Sequence, residues 1–136
     1  MRATIDQNNY REIFYYKLYY LHFFHSLKSE ARKKFNWTLQ LIATQPRIPE
    51  KYFKHITHSN GIYEVRVEIE SNTYRVFAFF DKSNLIILTN GFQKKSQKTP
   101  INEIRLAEKI KKEYYHEQKE KHNLESKNYP KKDSKK

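Results

Sequence analysis

The sequence predicts an α+β domain: a small, mostly antiparallel sheet, made of an N-terminal strand and a three-stranded meander, with N-terminal helices and a C-terminal helix. Three observations carry that reading. Tyr63, Val65, Val67 and Ile69 alternate without a break with Glu64, Arg66, Glu68 and Glu70, the period of a half-buried strand. Apolar residues between Tyr20 and Ile42 recur instead at helical spacing. Thr99-Pro100 then precedes Ile101, Ile104, Ala107 and Ile110, a helix-start signal followed by a helical stripe.

In chain order, Arg11 to Leu18 is rich in β-formers and reads as the first strand. Tyr20, Leu21, Phe23, Phe24 and Leu27, then Ala31, Phe35, Leu39 and Ile42, predict two consecutive helices or one broken helix ending before Gln45-Pro46. Residues 46–60 carry two prolines and lead into Ser59-Asn60-Gly61, so they read as a loop with a short extended piece around Phe53 to Ile56. Ser71-Asn72 suits a tight turn into a strand over Thr73 to Phe80, and Asp81 to Asn84 suits a second turn into Leu85 to Asn90. The strand over 73–80 is apolar on both faces in its second half and is expected to be the most central. Beyond Tyr115 the apolar periodicity stops. The chain therefore divides into a domain over 1–115 and a basic tail over 116–136 that is expected to be disordered in isolation. The helices are expected on one face of the sheet, leaving the other open.

Charge narrows the partners. Among 136 residues, 27 Lys and Arg oppose 15 Asp and Glu, a net charge of +12 and a field that favours polyanions. The stretch 116–136 holds seven Lys and four acidic residues, so +9 of the +12 belongs to residues 1–115. Charge on a folded surface more often marks a site than charge on a tail. With no cysteine there are no disulfides, thiolate metal sites or cysteine nucleophiles, which fits a reducing, cytoplasmic setting. No run approaches 18 apolar residues and the first nine are polar, so neither a membrane span nor a signal peptide is expected. His22/His25 and His55/His58 have i, i+3 spacing but bring no obvious third ligand, so no metal or other cofactor is expected. Trp37 and Tyr15, Tyr16, Tyr19 and Tyr20 read as core and interface rings.

With Ser71-Asn72 as a two-residue hairpin turn, Glu68 pairs with Arg75 and Arg66 with Phe77, which sets Arg66 and Arg75 diagonally on one polar face within reach of one phosphate. Continuing through the next turn puts Asn90 beside Arg75, so the run from Gly91 to Thr99 leaves the same end of the sheet. Charge, a ring and amide side chains would converge there, which is what single-stranded RNA requires. The alternative is a solvated face on which Arg66 and Arg75 only pair with Glu64 and Glu68, Phe92 closes the core, and Lys94, Lys95 and Lys98 belong to a solvent loop.

These residues also carry a resemblance. Phe53-Lys54-His55, Tyr63-Glu64-Val65-Arg66-Val67, Tyr74-Arg75-Val76-Phe77 and Asn90-Gly91-Phe92-Gln93-Lys94-Lys95, followed by Gln97-Lys98-Thr99-Pro100, are similar to the phage-derived, HigB-like branch of the RelE/ParE toxins, over roughly residues 10 to 115. The resemblance implies a microbial RNase-like fold and a toxin domain over 1–115. It also implies metal-independent, ribosome-dependent cleavage of messenger RNA, and a cognate helix-turn-helix antitoxin. It assigns catalysis to Arg66, Arg75, Lys94 and Lys95, and RNA binding to Lys54, His55, Phe92, Gln93, Gln97 and Lys98. The chain departs from some relatives at Glu64, where they carry lysine, and it offers no clear counterpart of the C-terminal tyrosine that others use, which leaves the general base open, with Glu68, Lys54 and His55 as the weaker candidates. Two other readings remain: a toxin of the same fold directed at a protein such as DNA gyrase, and an RNA-binding protein without catalysis.

Overall fold

The computed structural model describes residues 9–128, and the elements follow the predicted order. They are β1 (Glu12–Tyr15), α1 (Tyr19–His25), α2 (Ser29–Thr44), β2 (Phe53–His55), β3 (Tyr63–Ile69), β4 (Asn72–Asp81), β5 (Leu85–Lys94) and α3 (Ile101–Asn128). One five-stranded sheet has the order β1-β5-β4-β3-β2. β1 lies parallel to β5, and every other pairing is antiparallel. β4 is central, as its doubly apolar sequence requires: Val76, Phe77, Ala78 and Phe79 are all fully buried. The short extended piece expected near Phe53 is β2, the edge strand beside β3.

Local chemistry explains the element ends. α2 stops at Gln45, whose ψ of 139° is the extended conformation that a following proline imposes. α3 opens with the Pro100 carbonyl accepting from the backbone N–H of Glu103 and of Ile104, and with Glu103 in the positive first turn.

The helices do not share one face. Tyr20, Leu27, Ala31, Phe35, Leu39 and Ile42 of the α1–α2 region pack with Val65, Val67, Val76, Ala78, Ile86 and Leu88. Ala107, Ile110 and Tyr114 of α3 pack with Phe77, Phe79 and Ile87 on the opposite face. A strand apolar on both faces needs cover on both, and α3 supplies the second. It covers only part of that face, however, and the ends of β3, β4 and β5 near Arg66, Thr73 and Lys94 stay open as a groove.

The tail expectation is corrected over residues 116–128, which continue α3 as helix. Apolar periodicity ends at Tyr115, but Glu, Lys and Gln propagate a helix well. His116 and Glu120 pair at i, i+4, and the Glu117 carboxylate accepts from Tyr16 Oη at 2.6 Å. Residues 129–136 of the expected tail lie outside the described residues. No described helix is long and apolar enough to cross a membrane.

A candidate phosphate groove on the sheet

The β3–β4 register differs from the expected one by two residues. The turn is Glu70-Ser71 rather than Ser71-Asn72, with Ile69 paired to Asn72 and Glu70 in the left-handed region at φ 56°. A two-residue shift preserves which face each side chain occupies. Its effect is to set Arg66 directly opposite Arg75, closer than the diagonal placement.

Further along, β5 carries a bulge. Val76 pairs with Gly91 but Ala78 with Leu88, so Thr89 and Asn90 together oppose Phe77. Thr89 Oγ1 donates within this site, with the Phe77 carbonyl at 3.0 Å and Asn90 Oδ1 at 3.1 Å. Asn90 Nδ2 reaches the Glu103 carbonyl and carboxylate at 3.2 and 3.0 Å. The bulge therefore ties β5 to the first turn of α3, and it places Phe92 rather than Asn90 opposite Arg75 and Lys94 opposite Thr73.

The result is a groove of about 740 Å³ lined by Arg66, Arg75, Lys94 and Lys95, with Glu68, Ser71, Thr73, Gln93, Ser96 and Gln97. Arg75 forms its floor and is only 2% exposed. Its Nε lies 3.0 Å from Oε1 of Glu64, itself buried, and the other carboxylate oxygen lies 3.9 Å from Arg66 Nε. The Arg75–Glu64 approach has the distance of an ion pair without hydrogen-bond alignment, and Arg75 Nη1 donates to the Tyr74 carbonyl at 3.0 Å. One carboxylate thus stands between two guanidinium groups, leaving the cluster cationic.

Burial lowers the Arg75 pKa from its usual value, opposed by the Glu64 charge. Burial also pulls the Lys94 ammonium below the ordinary lysine range, and the positive charge of Arg75 pulls it further in the same direction. Glu64 and Glu68 act against that shift and Arg66 adds to it. Lys94 is thus the groove's ammonium whose proton is loosened, while the guanidinium groups stay charged.

Six of the expected site residues line this groove, namely Arg66, Arg75, Lys94, Lys95, Gln93 and Gln97, but Gln93, paired with Tyr74, turns its amide to Asn72 Oδ1 at 3.1 Å. Phe92 borders it from beside Arg75, its ring packed edge-on against Phe77 with centroids 5.3 Å apart. Lys54, the cross-strand neighbour of Glu64, is exposed on edge strand β2 and does not line the groove. His55 is corrected more strongly. It pairs with Tyr63 and meets that ring at 5.1 Å on the α1–α2 face, opposite the arginines, so it serves neither as base nor as RNA contact in this groove. Lys98 also falls outside it, its carbonyl accepting from Ser96 Oγ at 3.0 Å.

Other residues emerge from the structure. Glu64 is the buried counter-charge, while Thr73, Ser71 and Ser96 add hydroxyls to the lining. Strict alternation already put Glu64 on the arginine face; its burial depends on where β2 and β4 lie. Trp37 is not a core ring, being half-exposed, whereas Tyr20 and Tyr16 are buried. Among the described residues, no group of three His, Cys, Asp or Glu side chains could hold a metal ion.

No curated protein matches the chain with significant similarity. A family profile described as phage-derived protein, Gp49-like, matches residues 22–112, from α1 into α3, and so takes in every residue that lines the groove. That span is well over half of the chain, and the family it defines is a RelE-like family of toxin–antitoxin toxins. The chain belongs to the Gp49-like family of phage-derived proteins.

Proposed function

We propose that this protein is a HigB-like toxin that cleaves messenger RNA on the ribosome in the cytoplasm, with a cognate helix-turn-helix antitoxin as its silencing partner. The observation that carries the reading is the placement of Lys94, its proton loosened by burial and by Arg75, in one groove with two arginines set face to face.

In the proposed reaction the RNA 2′-oxygen attacks the adjacent phosphorus and gives up its proton. The bond from phosphorus to the 5′-oxygen breaks, and that oxygen takes a proton as it leaves. The products are a 2′,3′-cyclic phosphate and a 5′-hydroxyl. Arg66, the more exposed of the two arginines, grips the phosphate, and Arg75 adds positive field from the floor where water does not screen it. Lys94 moves a proton at the reacting phosphate, because an ammonium with a lowered pKa exchanges protons nearer neutral pH than an ordinary lysine. Glu68, exposed on the same lining, is the candidate for the second proton-transfer group. Phe92 and Gln97 supply a ring and an amide for the base next to the scissile phosphate.

Translation-coupled cleavage tests this reading. In a cell-free translation reaction, the protein is expected to cut within translated codons and to leave naked message intact. Lys94→Ala is expected to lower cleavage at least about a hundredfold, the lower range for one acid–base group. Cutting that persists at full rate in Lys94→Ala removes Lys94 from the chemistry. Arrest of growth through gyrase, with message untouched, replaces the reading with that of a protein-directed toxin.

A further inference from the structure

A second groove, of about 350 Å³, opens on the other side of Arg66 and Glu68, lined also by Lys34, Lys51, Tyr52 and Glu70. Arg66 and Glu68 line both grooves, so the two adjoin at β3. Beside it stands Trp37, the single tryptophan of the chain and 50% exposed although it is the largest apolar side chain available for a core. Its ring meets Tyr52 edge-on with centroids 5.5 Å apart, and Lys51 Nζ sits 5.0 Å from the Tyr52 ring centre.

This aromatic pair is fixed to the strand that carries Arg66. The Arg66 backbone N–H donates to the Tyr52 carbonyl at 2.8 Å, and Arg66 Nη1 donates to the Glu50 carbonyl at 3.1 Å. Lys34 Nζ donates to the Glu68 carbonyl at 3.0 Å, which uses one of its three donors. A half-exposed indole set edge-on to a part-exposed phenol, flanked by three cations and adjoining the Arg66–Arg75 groove, matches a single strand better than an apolar protein partner. Glu68 and Glu70 share this lining and repel phosphate, which leaves the lysines as its anion-binding part.

We propose that Trp37 and Tyr52 form a base-stacking platform for single-stranded RNA that adjoins the Arg66–Arg75 groove at β3, with Lys34 and Lys51 holding its phosphates. This deepens the RNA reading of the groove and rests on it.

The single tryptophan makes the platform directly observable. Full-length protein is titrated with a short unstructured RNA, following Trp37 fluorescence together with anisotropy of a label on the RNA. The expected result is quenching that saturates with the anisotropy. Trp37→Ala and Tyr52→Ala are expected to weaken binding about fivefold or more, and Trp37→Phe to recover part of that loss. Saturating anisotropy without quenching, or full affinity in Trp37→Ala with an unchanged melting temperature, overturns the platform. Quenching by the antitoxin but not by RNA also overturns it, and makes the patch a protein interface. The two proposals separate cleanly: quenching in a protein that never cleaves spares the platform and refutes the nuclease, and cleavage without quenching does the reverse.

Discussion

The Glu64 carboxylate lies 3.0 Å from the guanidinium of Arg75 and 3.9 Å from that of Arg66, two arginines that face each other across β3 and β4. Removing one member of such a buried cluster leaves uncompensated charge, which costs more than the pair itself contributes. Glu64→Gln keeps the shape and deletes the charge. It is expected to destabilise the fold by roughly 3 kcal/mol, read as a lower urea midpoint. An unchanged midpoint contradicts the counter-charge role.

Lys94 is expected to titrate below the lysine value of 10.5. Because its folded pKa is the lower one, the unfolded chain binds more protons between the two values. Stability therefore rises as pH climbs through the folded Lys94 pKa toward 10.5. Side-chain NMR of lysine-labelled protein, assigned with Lys94→Arg, checks this. Titration of Lys94 together with the exposed lysines contradicts it. The same Lys94→Arg variant should hold RNA yet cleave poorly, because guanidinium does not release its proton near neutral pH.

Gly91 closes the approach of α1 to β5: a Cβ added there would stand 2.4 Å from Phe23 Cδ2. Gly91→Ala is expected to cost about 1–3 kcal/mol through overpacking, and Phe23→Leu in the same chain to recover part of it. A double-mutant cycle from denaturation curves measures the coupling. Additive losses mean that the ring is not what excludes the methyl.

Much of this arrangement was legible from strand parity alone. Even-numbered residues of β3 share a face, so Arg66, Glu64 and Glu68 could be grouped before any register was known. The register was not legible, because asparagine is the usual occupant of a left-handed turn position and here Glu70 takes it instead. The β5 bulge at Thr89-Asn90 was equally hidden, since it is held by Glu103 of α3, a contact between distant parts of the chain. Parity also warns that Lys54 and His55, adjacent on β2, cannot both serve one face. The helix beyond Tyr115 is not legible from apolar spacing, because its signal is propensity and ion pairing. Trp37 stands two residues from both Phe35 and Leu39 of the apolar stripe, so helical phase already turns it outward, as its exposure shows; only its size points to the core.

Tyr16 anchors the extended part of α3, donating to Glu117, and its pKa is pushed up to about 12 by burial and then by that hydrogen bond. A phenol whose folded pKa lies above its unfolded value of 10.0 contributes stability that is full below 10.0 and lost as pH rises through about 12. Tyr16→Phe is expected to flatten the alkaline unfolding profile over that window. An identical profile in the variant assigns the alkaline transition to another group.

Whether Lys94 cuts message on the ribosome is decided by primer extension on message from a cell-free translation reaction containing wild-type protein or Lys94→Ala. Wild-type protein is expected to leave discrete cuts inside translated codons, bearing 5′-hydroxyl ends, and the variant to leave none. Message left uncut by the wild-type protein, with translation undisturbed, contradicts the proposed cleavage.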